Sequence, residues 1–143
     1  MTTTYVTSIL KNIHVVGDTE NVFTPSVEFN AEKGVCEISG QSYLKKTYEF
    51  YEPLYEWLET YIAEINKPLT FNMKITYFNT SSSKCILEIL RILGKHHSKG
   101  GKVTLNWYID QKDEDMQEEI EYFAIAANLP IHTIMMCEDV ENK

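Results

Sequence analysis

Between Tyr48 and Asn128 the apolar residues change spacing repeatedly, from a helical repeat to a strand repeat and back, and no other feature constrains the fold as much. From about Tyr48 to Ile65, Tyr51, Leu54, Tyr55, Leu58, Tyr61, Ile62 and Ile65 share one helical face. Glu49, Glu52, Glu56 and Glu59 take the opposite face. Pro53 suits such a helix only near its first turn. Leu69, Phe71, Met73, Ile75 and Tyr77 then alternate, which predicts a strand over 69–77 with those five side chains on one face. A second helix follows Asn79-Thr80-Ser81-Ser82-Ser83, with Ile86, Ile89, Leu90 and Leu93 inward and Gly100-Gly101 as its stop. Val103, Leu105, Trp107 and Ile109 alternate as the next strand. Met116, Ile120, Phe123, Ala124 and Ala127 line the inner face of a third helix from about Asp113 to Asn128. Within it Asp115 and Glu118 have capping-box spacing. Pro130 leads into a last apolar run, Ile131–Cys137.

The first third is less regular. Ile13–Val16 reads as a short strand and Gly17–Glu20 as a turn. Val22–Phe29 and Gly34–Ser39 alternate on either side of a Gly-containing turn, which predicts a hairpin. Pro25 puts the first of these runs at a sheet edge or at its own start. The order is β-β-α-β-α-β-α-β. Strands separated by helices need crossovers, so the second half forms a parallel sheet. The expected fold is α/β: a mixed sheet, antiparallel in the front hairpin and parallel after it, with about three helices packed against it. A chain of 143 residues fits one domain over 1–143. Residues 1–12 read as a flexible extension and 138–143 as a tail.

Charge and composition exclude several classes. With 21 acidic against 13 basic residues the net charge is −8, which disfavours nucleic acid or an anionic membrane as partner. No apolar run reaches the length of a membrane span, and Met1–Val16 lacks the pattern of a signal peptide. The expected location is the cytoplasm. Apolar residues at 43% and charged residues at 24% exclude wholesale disorder. Cys36, Cys85 and Cys137 are isolated and odd in number, and read as small buried hydrophobes rather than a disulfide or zinc framework.

Enzyme motifs are missing. There is no G-x-S-x-G, no phosphate-binding loop and no G-x-G-x-x-G; Gly94-Lys95 lacks the upstream glycine. The histidines are His14, His96, His97 and His132, and neighbours such as His96-His97 diverge on a helix and cannot share a metal. They suit a helix C-terminus instead. The acidic run Asp110, Asp113, Glu114, Asp115 fails as a calcium loop, because Lys112 or Glu118 falls where a ligand or glycine is needed. These acids suit a helix N-terminus. No cofactor and no metal is expected.

One segment stands apart. Asn79, Thr80, Ser81, Ser82, Ser83 and Lys84 lie where a strand ends and a helix begins. A helix start needs one capping residue; here Asn79 and four hydroxyls stand in a row. A phosphate there would meet free N–H groups and the positive helix end, with Lys84 one turn on. The plain alternative is a polar cap. Lys84, Arg91, Lys95 and Lys99 form a basic stripe along the same helix, with Glu88 among them.

Several segments together resemble the SiaC family of bacterial regulatory phosphoproteins. They are Thr24-Pro25-Ser26-Val27-Glu28-Phe29, Gly40-Gln41-Ser42-Tyr43 and Phe50-Tyr51-Glu52-Pro53-Leu54-Tyr55-Glu56-Trp57-Leu58. Tyr77-Phe78-Asn79-Thr80-Ser81-Ser82-Ser83-Lys84 follows, then Trp107-Tyr108 and Asp113-Glu114-Asp115-Met116. The resemblance runs from about Ile13 to Pro130. It implies a fold like the STAS domain of sulfate transporters and anti-sigma-factor antagonists. It also implies a non-catalytic partner switch. A cognate serine/threonine kinase phosphorylates Thr80, a PP2C-type phosphatase removes the phosphate, and the unmodified protein binds and activates a diguanylate cyclase, raising cyclic-di-GMP and favouring biofilm. Asn79, Ser81, Ser82, Ser83 and Lys84 would then contact partners. The likeness breaks at Leu44-Lys45-Lys46, where many relatives carry Pro-Glu-Asn.

Three other classes compete with this switch. An enzyme using the hydroxyl cluster as nucleophile would need a base, and none stands in recognisable relation to Ser81–Ser83. A nucleotide- or small-ligand-binding STAS-like module would need a phosphate loop. An anti-sigma-factor antagonist would share the switch but not the output.

Overall fold

The protein is represented by a computed structural model that describes residues 10–18 and 23–136. Nine elements follow in order: β1 (Ile13–Val15), β2 (Ser26–Asn30), β3 (Val35–Ser42), α1 (Thr47–Thr60), β4 (Leu69–Phe78), α2 (Thr80–Ser98), β5 (Val103–Asp110), α3 (Glu114–Ala127) and β6 (His132–Met136). The six strands form one sheet in sequence order, β1-β2-β3-β4-β5-β6. β1, β2 and β3 pair antiparallel, while β3, β4, β5 and β6 pair parallel. This is the mixed sheet that the alternating periods predict. Strands laid down in one direction by right-handed crossovers bring all three helices to the same face. α1 packs on α2, and α2 on α3.

The core lies between that face and the helices. Cys36, Ile38, Phe71, Met73, Ile75, Leu105, Trp107 and Ile109 are buried there against Tyr51, Leu58, Ile86, Leu90, Leu93 and Phe123. The other face of the sheet is polar. Lys74 pairs with Glu37 at 3.2 Å, and Asn106 donates to Asn72 at 3.0 Å.

Several local expectations are corrected. Pro53 sits in the second turn of α1, not the first. Its ring leaves the Glu49 carbonyl without a helical donor, tolerable because both residues are on the solvent face. The helical run to Ile65 changes form, with a π-turn over Tyr61–Ile65. α3 is capped by Asp113, whose Oδ1 accepts the Met116 N–H at 3.0 Å, so the spacing of Asp115 and Glu118 makes no capping box. Of the two places expected for Pro25, the strand start holds: Pro25 immediately precedes β2, and β1 covers that strand, so it is not an edge.

The alternation of β4 breaks at its end. Gly40 faces Ile75, but Gln41 faces Tyr77, so Thr76 is an extra residue in β4. Such a bulge reverses the faces beyond it. Tyr77 therefore points to solvent at 49% exposure, and Phe78 turns inward against Trp107 and Phe123.

Cys36 and Cys85 are buried free thiols. Cys137 lies outside the described residues, as do Glu20, Val22 and the 138–143 tail. Of the extension 1–12, residues 1–9 lie outside them too. Residues 11 and 12 are held: the Lys11 carbonyl accepts from Trp57 Nε1 at 2.7 Å, and Asn12 Oδ1 accepts the Ala31 N–H at 2.8 Å.

Candidate functional site

β4 must stop where its chain turns toward the helix layer, and Asn79 makes that turn. Its backbone is extended, with φ −89° and ψ −178°, and its Oδ1 accepts the Ser82 N–H at 3.0 Å. Its carbonyl accepts the Ser83 N–H at 2.9 Å. Asn79 is thus the N-cap of α2, with geometry suited to its residue type. Its own N–H donates to the Ser42 carbonyl at 3.2 Å, tying the helix start to the end of β3.

The hydroxyls that follow have different fates. Thr80, the first helical residue, is exposed, and its hydroxyl makes no hydrogen bond among the described residues. Ser81 is also exposed; its Oγ lies 3.1 Å from Thr47 Oγ1 and donates to Asn79 Oδ1 at 3.4 Å. Ser82 is fully buried. Ser42 Oγ donates to Ser82 Oγ at 2.7 Å and lies 2.7 Å from the Tyr51 hydroxyl. Since the one Ser42 proton goes to Ser82, Tyr51 is the donor to Ser42. Burial pushes the Tyr51 phenol well above its ordinary pKa, against a smaller pull the other way from Ser42. The chain Tyr51 to Ser42 to Ser82 therefore stays protonated and closed. Ser83 is half-buried, and Lys84 is exposed one turn into the helix.

The structure gathers Asn79 to Lys84 into one helix turn but splits them between two sides. Thr80, Ser81 and Lys84 face outward. Ser82 faces the interior, away from any surface a partner would meet. Ser42, Thr47 and Tyr51 were missed as parts of this site. The available signal was Tyr51 itself, because a phenol on the inner face of a helix needs a buried partner.

Lys84, Arg91, Lys95 and Lys99 of the basic stripe are all exposed and make no ion pair among the described residues, but three of them border carboxylates. Lys84 opens on a groove of about 520 Å³ between α1 and α2 that also holds Glu52, Glu56, Glu59 and Glu88. Lys95 and Lys99 border Glu59 in a smaller cavity further along. The acidic face of α1 thus looks onto the basic stripe. The acids near α3 have local duties: Asp110 Oδ1 accepts the Lys112 N–H at 2.9 Å, and Asp113 caps the helix. Among the described residues no group of three or more His, Cys, Asp or Glu is placed to hold a metal ion. No helix among them is long and apolar enough to cross a membrane.

Comparison with known proteins agrees with this fold. The sequence model for "SiaC family regulatory phosphoprotein" matches residues 18–136. An uncharacterized protein of Pseudomonas aeruginosa strain UCBPP-PA14 is 29% identical over 121 residues, covering 85% of this chain and 94% of that protein. The crystal structure of apo-SiaC from Pseudomonas aeruginosa is similar at a TM-score of 0.77 and 26% identity, covering 87% of this chain and 98% of that one. SiaC in the crystal structure of the diguanylate cyclase SiaD in complex with its activator SiaC, from the same organism, is similar at a TM-score of 0.80 and 28% identity. That match covers 87% of this chain and 99% of the other.

Proposed function

Since the chain belongs to the SiaC family of regulatory phosphoproteins, we propose that it is a non-catalytic cytoplasmic switch, phosphorylated and dephosphorylated at Thr80. A serine/threonine kinase adds the phosphate and a PP2C-type phosphatase removes it. The unmodified protein binds and activates a diguanylate cyclase, as the activator in the similar complex does. Kinase, phosphatase and cyclase are the three partners; no cofactor takes part.

The observation that carries this reading is the contrast within one helix turn. Asn79, Ser81 and Ser82 have their side chains engaged, while the Thr80 hydroxyl is exposed and unengaged. A kinase can reach it without unfolding anything. The phosphate would stand at the positive end of a 19-residue helix, which tolerates it. It would also add about −1.5 to −2 charges to a contact surface, which is enough to change partner choice.

The test is a binding assay with purified cyclase, using wild type, Thr80→Ala, Thr80→Asp and the kinase-treated protein. Wild type and Thr80→Ala should bind and stimulate cyclic-di-GMP synthesis. Thr80→Asp and the phosphoprotein should not. Equal stimulation by all four would reject the switch.

A further inference from the structure

Two large aromatic rings stand together where β4 leads into α2, and a regular strand pattern would not expose one of them, Tyr77. Tyr77 is 49% exposed and Tyr43 is 52% exposed, with ring centroids 6.1 Å apart. The backbone departs from regularity to put Tyr77 there. Thr76 is the bulged residue, and on the facing strand Gly40 takes φ +99°, a conformation suited to glycine. Bulges beside functional sites commonly re-aim a side chain. Tyr43 is held in place as well, because its N–H donates to the Phe23 carbonyl at 2.9 Å.

Hydrogen bonds fix the position of this pair relative to Thr80. Tyr43 follows Ser42, whose carbonyl accepts from Asn79. On the other side Thr47 approaches Ser81 at 3.1 Å. Between Tyr43 and Thr47 runs the short link that carries Lys45 and Lys46. Both lysines are exposed, and neither joins an ion pair among the described residues. On a chain of net charge −8 this is a local reversal of sign.

We propose that Tyr43, Tyr77, Lys45 and Lys46 form the anchoring patch for the cyclase. Its counterpart is an acidic segment of the cyclase that presents an apolar or aromatic side chain to the two rings. The proposal rests on the reading of Thr80 as the switch and names the surface on which that switch acts. Tyrosines give large contact area at low entropic cost and are frequent binding hot spots. The lysine pair selects the partner's sign, since opposite charges facing each other across an interface favour an acidic partner surface over a basic one. A phosphate on Thr80, beside this patch, outweighs one of the lysines and repels the same acidic segment.

The test uses calorimetry with the full chain and purified cyclase. Tyr43→Ala with Tyr77→Ala should weaken binding by about tenfold or more, the effect of losing a hot-spot contact. Lys45→Glu with Lys46→Glu should weaken it too and flatten its salt dependence. Tyr122→Ala, an exposed tyrosine on α3, should bind as wild type does. Melting curves monitor the fold, and Tyr77→Thr with Tyr43→Ser serves if the alanine pair unfolds. If wild type binds and the tyrosine variants bind equally well, the patch is not the anchor, although the switch stands. If wild type does not bind the cyclase, the functional reading fails and the occupant named here falls with it. If the tyrosine variants instead dissolve a wild-type dimer and keep cyclase affinity, the patch is a self-interface and the proposal is overturned.

Discussion

Ser42 at the end of β3 donates its hydroxyl proton to Ser82 in the first turn of α2, at 2.7 Å and fully buried. Forty residues of sequence separate the two, and Tyr51 of α1 joins them from a third element. The exposed Thr80 is thus mounted on a turn that is anchored from beneath. A phosphate can change the surface there while the helix start stays in place.

Removing Ser42 should therefore cost more than its size suggests. Ser42→Ala leaves the Tyr51 hydroxyl without its buried acceptor and Ser82 without its donor. The expected loss is about 1–3 kcal/mol in a urea melt. Thr80→Ala, at an exposed and unbonded position, should stay within about 0.5 kcal/mol of wild type. Comparable losses for both would mean that the buried chain does not anchor the turn.

Phosphate should map to Thr80 and not to Ser82. Peptide mapping after kinase treatment should find the modification lost in Thr80→Ala and retained in Ser82→Ala. Modification of Ser82 in a folded sample would require α2 to open, and would contradict the anchored turn.

The Asn79 cap predicts a graded series. Asn79→Ala should lower stability by about 1 kcal/mol, because the Ser82 N–H loses its acceptor. Asn79→Asp should equal or exceed wild type, since it keeps the acceptor and adds negative charge at the helix start. Thermal melts of the three proteins at neutral pH decide it; a less stable Asn79→Asp would count against the cap.

Alkaline pH should destabilise the fold through Tyr51. Burial raises its pKa in the folded state, while the unfolded chain ionises near the ordinary value of about 10. Below that value neither state is ionised and the contribution is fully present. Above it only the unfolded state loses its proton, so stability falls as pH rises toward the folded value. Melting temperature measured from pH 7 to 11 should drop at the alkaline end, and Tyr51→Phe should make the drop shallower. An unchanged slope in Tyr51→Phe would assign the effect to other groups.

Gly40→Ala tests the backbone beneath the aromatic pair. At φ +99° a Cβ is unfavourable, so the variant should lose about 1–2 kcal/mol. Because the nearest atom to such a Cβ is 3.9 Å away, crowding would not be the reason. A neutral result would show that the bulge does not need glycine.

Periodicity alone revealed the β/α order, the parallel half of the sheet, the front hairpin and most of the core. Ile86, Leu90, Phe71 and Trp107 are buried where their spacing places them. The strand-to-helix junction at Asn79 and the hydroxyl row after it were equally legible. These are local properties: a side chain's face is set by its neighbours in the same element, and a cap by the residue types at one helix end.

Which hydroxyls of the row reach solvent was not legible from the residues themselves, because Thr80 and Ser82 have nearly the same chemistry in sequence. Only packing against β3 and α1 buries one and leaves the other in solvent. Tyr77 fits an inward alternation as well as Ile75 does, yet one unpaired residue at Thr76 sends it out. That Lys84, Lys95 and Lys99 of the basic stripe share grooves with carboxylates of α1 shows only once α1 is laid beside α2. Each of these outcomes depends on contacts between elements distant in the chain. A one-residue register shift or a buried hydrogen bond leaves no period in the sequence, so the three-dimensional pairing alone decided which side chains the site presents.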